Sequence, residues 1–127
     1  MQNASDFRRI VLGMRDAIEG AHMGHPDFRV NGRIFASLNH DQTGGMVVLT
    51  PDQQQTFVRE HPSMFQPESG AWGRSGCTRV HLEAVDEETL GEALTVAWQN
   101  RMAKGSARTR VKKAEQQAAG RKPRTGN

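Results

Sequence analysis

The feature that most constrains this chain is the dipeptide Asn31-Gly32, set between DFRV and RIFASL. Both residues tolerate the positive φ angles of a type I′ turn, so the flanking segments pair as antiparallel strands in a register set by the turn. In the second strand, simple alternation predicts Ile34, Ala36 and Leu38 on one face, with Phe35 and Ser37 on the other. A chain of 127 residues built around such a hairpin is one domain with a single modest core.

Elements on either side of the hairpin follow from periodicity and capping. Phe7, Ile10, Val11, Met14 and Ile18 recur at helical spacing, which predicts a first helix capped by Ser5 or Asp6 and ended by Gly20. After the polar turn NHDQTGG, the apolar run MVVL reads as a short strand. TPDQQQTFVRE opens a second helix, with Thr50 as N-cap, Pro51 at the first helical position and Gln53 completing a capping box. His61-Pro62 ends it, because a residue before proline avoids the α region. Residues 62–76, rich in Pro, Ser and Gly, read as a loop. Thr78, Val80 and Leu82 then alternate with Cys77, Arg79, His81 and Glu83, as in a half-buried strand. Asp86 is placed to cap a last helix whose buried stripe is Leu90, Ala93, Leu94, Ala97 and Trp98.

The formal charge of +3 conceals a division. Residues 1–100 carry eight arginines against thirteen acidic residues, a balance of −5, whereas from Arg101 onward nine basic residues face only Glu115, a balance of +8. Two regions are expected: an α/β domain over 1–103, and a basic tail over 104–127 that is disordered or helical only in part. Cys77 is the single cysteine, which excludes an intramolecular disulfide and fits the reducing cytosol. Charged residues interrupt the apolar ones near the N-terminus, which argues against a signal peptide, and no apolar run is long enough to cross a membrane. A cytoplasmic protein is expected.

Order and wording of the segments resemble the MmcQ/YjbR family of small bacterial proteins. The phrases that carry the resemblance are GHPDFRVNGRIFASL, VLTPDQQ, and AWGRSGCTRVHL followed by AVDEETLGEALTVAWQN, in order over roughly residues 5–100. The resemblance implies an α+β fold: a two-layer α/β sandwich with an antiparallel sheet and N- and C-terminal helices, similar to frataxin-like and double-wing domains. It also implies DNA binding, a label that rests on fold analogy. Within the family match, Phe28, Arg29 and Arg33 belong to one conspicuous motif and WGRSGCTR to the other, and the two are expected to share a surface.

His22, His25 and Asp27, with His40 and Asp41, offer imidazole and carboxylate ligands, but neither His22 nor His25 sits in a convincing helix and Cys77 has no CxxC partner. No metal is expected. Cys77 and His81 share a strand face, as a thiolate–imidazolium pair would require, yet no third orienting group is visible, so no enzyme and no cofactor is expected. WGRSGCTR is the strongest cluster: Trp72 supplies a flat stacking surface, while Arg74 and Arg79 supply planar donors for phosphate or carboxylate. Its competing reading has Trp72 at the edge of the core and an arginine paired with an acid such as Asp27. In the tail, Lys104, Arg108, Arg110, Lys112 and Lys113, with Arg121, Lys122 and Arg124, suit sequence-independent, salt-sensitive phosphate contact. The leading expectation is a non-enzymatic nucleic-acid-binding protein that uses Phe28, Arg29, Arg33, Trp72, Arg74, Arg79 and the tail. The alternative is a module that binds an anionic small molecule or a protein near Trp72.

Overall fold

A computed structural model describes residues 2–114, and their side chains as far as Ala103. Asn31 and Gly32 both have positive φ, 56° and 74°, and join β2 (His25–Val30) to β3 (Arg33–Leu38) in an antiparallel hairpin. Around it lie β1 (Ile18–His22), β4 (Gly44–Val48), β5 (Phe65–Pro67) and β6 (Cys77–His81). Together they form a six-stranded sheet in the order β1-β2-β3-β4-β6-β5, with every neighbouring pair antiparallel. Four helices complete the α+β fold: α1 (Ala4–Leu12), α2 (Pro51–Glu60), α3 (Gly70–Arg74) and α4 (Glu87–Ala114). Among the described residues, no helix is long and apolar enough to cross a membrane.

Helices α1 and α4 bury their apolar stripes against one face of the sheet. Phe7 and Val11 meet Leu90, Ala93, Leu94 and Ala97 over Phe28, Val30, Leu38, Val47 and Val80, all essentially inaccessible to solvent. Trp98, expected in this stripe, is half-buried and donates its indole N–H to the Arg15 carbonyl at 2.9 Å. Asp86 caps α4 as expected, its Oδ1 accepting the Thr89 amide at 2.7 Å.

Three expectations change once the chain is folded. α1 ends at Leu12, and its N-cap is Asn3, which exchanges hydrogen bonds with Asp6 at 2.9 and 3.0 Å. Ile18 and Gly20 therefore belong to β1, because pairing with β2 satisfies their backbone in a way that a helix continued past Gly13 would not. The alternation in β3 breaks where the register slips between Phe28 and Arg29: Ala36 faces Phe28 and Ile34 faces Arg29, leaving Phe35 as the extra residue. Phe35 and Ala36 are consequently both buried. Residues 62–76, read as a loop, contain β5 and α3. Their short length hides any period, and tertiary contacts supply the stability: Phe65 stacks edge-on against Phe57 at 5.1 Å, and β5 pairs with β6. α4 runs through Ala114, so the expected tail is helical in its first part, and residues 115–127 lie outside the described residues.

α2 follows the sequence closely. Thr50 Oγ1 accepts the Gln53 amide at 3.2 Å, Gln53 Oε1 accepts the Thr50 amide at 2.9 Å, and His61 is the C-cap.

Candidate functional site

The face of the sheet away from α1 and α4 holds the candidate site. Strand register aligns Gly20, Asp27, Ser37, Met46, Arg79 and Gln66 in one row across it. Asp27 is 1% exposed and accepts two hydrogen bonds from Arg29, Nε to Oδ1 at 2.9 Å and Nη2 to Oδ2 at 3.0 Å. Gly20 makes room for this fork, since a Cβ there would lie 3.0 Å from Asp27 Oδ1. The hydrogen bond and charge of Asp27 raise the Arg29 pKa and commit that guanidinium to its partner.

Helix α3 overhangs the same face and carries Trp72, which is 73% exposed. A buried amide holds α3 in place: Gln54 Nε2 lies 3.0 Å from the Gly73 and Cys77 carbonyl oxygens and 3.3 Å from Thr78 Oγ1. Close approach of α3 to the segment before it requires Gly73, where a Cβ would fall 1.7 Å from the Glu68 carbonyl oxygen.

Trp72 and Cys77 are shared by two adjoining clefts. The first, about 470 Å³, is also lined by His25, Ser37, His40, Glu68 and Arg79. Arg79 is held by Glu68 at 2.9 Å, and the buried Nδ1 of His25 has no hydrogen-bond partner among the described residues. The second, about 610 Å³, is lined by Thr50, Ser75, Asn100 and Arg101, with no carboxylate in its lining among the described residues. Both volumes fall within the roughly 300–1,000 Å³ common for small-ligand pockets. Arg101 donates its Nε–H to the Ile34 carbonyl at 2.9 Å. Burial, and after it the charge of Arg33, lowers its pKa.

Cys77 is a free, buried cysteine. Burial raises its pKa more than the nearby Arg101 charge lowers it, the reverse of the shift that activates a thiolate. Four residues along a strand separate it from His81 by about 13 Å, and His81 Nε2 is instead 3.1 Å from Gln66 Oε1. His22 and His25 face each other across the β1–β2 turn at 6.5 Å, but no three metal-ligating side chains converge among the described residues.

The residues singled out from sequence separate into groups. Phe28 is wholly buried on the helix-covered face, 5.6 Å from the Phe7 ring, because strand parity places it opposite Asp27 and Arg29; it belongs to the core and offers no ligand contact. Arg29 and Arg79 are ion-paired, Arg33 adjoins Arg101, and Arg74 is exposed at the end of α3. The side chains of Lys104, Arg108, Arg110, Lys112 and Lys113, together with Arg121, Lys122 and Arg124, lie outside the described residues. Sequence reasoning missed Glu68, Ser37 and Arg101 as site residues. Arg101 had been counted with the tail, although its place three residues after Trp98 on a continuing helical period was a usable signal.

A family model described as YjbR matches residues 12–100. The chain belongs to the YjbR family. The match spans the first motif, with Arg29 and Arg33, and the second, with Trp72, Arg74 and Arg79; it ends one residue before Arg101. Among solved structures, this YjbR chain is similar to the Deinococcus radiodurans protein DR2400, described as a DUF419 domain, with a TM-score of 0.66 and 20% identity over 77% of each chain. At that identity the likeness concerns the fold alone. No curated protein matches the chain.

Proposed function

We propose that this YjbR-family chain is a non-enzymatic, cytoplasmic protein that binds nucleic acid through phosphate contacts. The observation that carries the reading is the place of Arg101. It is the first residue of the +8 segment, and it lines a cleft with the exposed indole of Trp72. In the sequence, Lys104, Arg108 and Lys112 follow Arg101 at intervals of three and four residues, a helical period suited to tracking a charged backbone. An exposed aromatic beside cations suits unpaired bases, which stack without sequence preference. Because Arg29 and Arg79 are neutralised by Asp27 and Glu68, the contact set on the domain narrows to Arg101 in the cleft with Trp72, Arg33 near Arg101, and Arg74 two residues after Trp72 on α3.

Fluorescence anisotropy with single-stranded and duplex oligonucleotides across a salt series tests this, using the full chain and a full-length variant with Lys104, Arg108, Arg110, Lys112 and Lys113 changed to Gln. Binding by the wild type should favour the single strand and weaken steeply with salt. The variant should show a flatter slope. Failure of the wild type to bind either oligonucleotide at low salt would remove the reading.

A second reading, an anionic small molecule or peptide held near Trp72, is favoured by the carboxylate-free lining of the larger cleft. It predicts binding that the tail substitutions leave unchanged.

A further inference from the structure

We infer that the cleft between Trp72 and Arg101 takes a phosphate monoester carried on a ring-bearing group, with Arg101 holding the phosphate and Trp72 stacking on the ring. This deepens the nucleic-acid reading and rests on it for the source of the ligand, the 5′-phosphorylated end of a single strand. A free nucleoside monophosphate offers the same chemistry.

Charge comes first. Among the described residues, Arg101 is the only charged group lining this cleft, and burial raises the pKa of the Cys77 thiol beside it. Arg101 and Arg33 lie together: Arg101 bonds the carbonyl of Ile34, the residue after Arg33, and Met102 lies 3.6 Å from Asn31 in the adjoining turn. Neither arginine has an ion-pair partner among the described residues. A half-buried cation with no carboxylate partner among the described residues favours an anion, and the neighbouring Arg33 adds to the positive field; a phosphate monoester, close to a dianion at pH 7, suits that field.

Geometry selects the ligand further. Arg101 uses only Nε on the protein, so its terminal nitrogens make no other hydrogen bond among the described residues and retain the planar arrangement that suits phosphate oxygens. Trp72 stands at the mouth with most of its surface in water, on a helix pinned from below by Gln54. A fixed, solvated indole beside a fixed guanidinium recognises a flat ring and an anion on one molecule. By contrast, the first cleft offers its cation already paired, Arg79 with Glu68.

The test uses the full chain and isothermal titration with four probes: inorganic phosphate, adenosine 5′-monophosphate, and a short oligothymidylate with either a 5′-phosphate or a 5′-hydroxyl. The monophosphate and the phosphorylated oligonucleotide should bind more tightly than inorganic phosphate and the hydroxyl oligonucleotide. Arg101→Gln should weaken both by about tenfold or more, the effect of losing one charge-assisted contact, with Arg101→Lys in between. Trp72→Ala, at an exposed position that leaves folding intact, should weaken the same two probes without changing binding of inorganic phosphate. Oligonucleotides that bind without regard to the 5′-phosphate would overturn the inference and leave the nucleic-acid reading standing. Binding of the monophosphate alone would support the site with a free nucleotide as its source, and remove the nucleic-acid reading. Equal affinity for the monophosphate and inorganic phosphate, or no binding of any phosphomonoester, would overturn it, as would unchanged monophosphate affinity in Trp72→Ala.

Discussion

Arg29 and Asp27, two residues apart on β2, form a bidentate pair at 2.9 and 3.0 Å on the sheet face that no long helix covers. Asp27 is the more deeply buried partner, and Gly20 on β1 leaves the space it occupies. Arg29→Gln should therefore lower the urea midpoint more than Asp27→Ala, because it leaves a buried carboxylate without its cation, whereas the guanidinium left by the second change still reaches water. Gly20→Val should resemble Arg29→Gln, because pushing the pair apart also leaves the buried carboxylate unpaired. Equal midpoints for all three variants and the wild type would contradict the structural role of the pair.

Gln54 joins α2 to α3 and β6 through one amide nitrogen. Gln54→Leu keeps the volume and removes the amide hydrogen bonds to the Gly73 and Cys77 carbonyls, each of which keeps one backbone donor, and this should cost about 0.5–1.5 kcal/mol of stability. Chemical denaturation measures the loss. Amide hydrogen exchange should localise the added opening to α3, loosening the platform under Trp72.

Two helical glycines should respond in opposite directions to the same substitution. At Gly73 a methyl group would collide with the Glu68 backbone, so Gly73→Ala must displace α3 and lower the thermal midpoint. Gly91 in α4 has no atom within 4 Å of such a group, and Gly91→Ala should stabilise by about 0.5–1 kcal/mol through helix propensity. Differential scanning calorimetry on both variants distinguishes them.

The α4 cap should be visible in acid. The Thr89 amide, hydrogen-bonded to Asp86, lowers the carboxyl pKa below its ordinary value. A carboxyl depressed in the folded state contributes stability that is fully present above the ordinary carboxylate range, near pH 4, and is lost as pH falls through the lower folded value. Asp86→Asn keeps a capping oxygen and removes the titration, so its stability should fall less steeply than the wild type's below about pH 4. Unfolding curves measured between neutral and acid pH would show parallel profiles if the cap contributed nothing.

Cys77 is a thiol shielded by burial and partly balanced by Arg101. Alkylation by iodoacetamide at neutral pH should be slower than for an exposed cysteine in a peptide, and should accelerate only as pH rises past the ordinary thiol range. Arg101→Gln should slow it further by removing the charge that favours thiolate.

Legibility in the sequence followed the range of the forces involved. Thr50, Pro51 and Gln53 marked α2 because a capping box is complete within four residues, and Asn31-Gly32 marked the hairpin because its turn needs only local φ angles. The motifs around those signals also sufficed to suggest the YjbR family and the α+β sandwich. The end of α1 was misjudged because Ile18 continues a helical period, yet its backbone finds β2. Phe35 was placed on the wrong face because a bulge depends on the partner strand, and α3 was invisible because five residues carry no period and depend on Gln54 from another element.

The site divides along the same line. From sequence alone came Trp72 and a set of arginines near it, since residue type and spacing suffice to name possible donors and a stacking surface. Only the tertiary structure decided which arginines are already held by carboxylates, that Phe28 is core, and that Arg101 lies in a cleft with Trp72. Those outcomes depend on strand register and on helices meeting across the sheet. A side chain's partners come from elsewhere in the chain, and its own neighbours in sequence do not encode them.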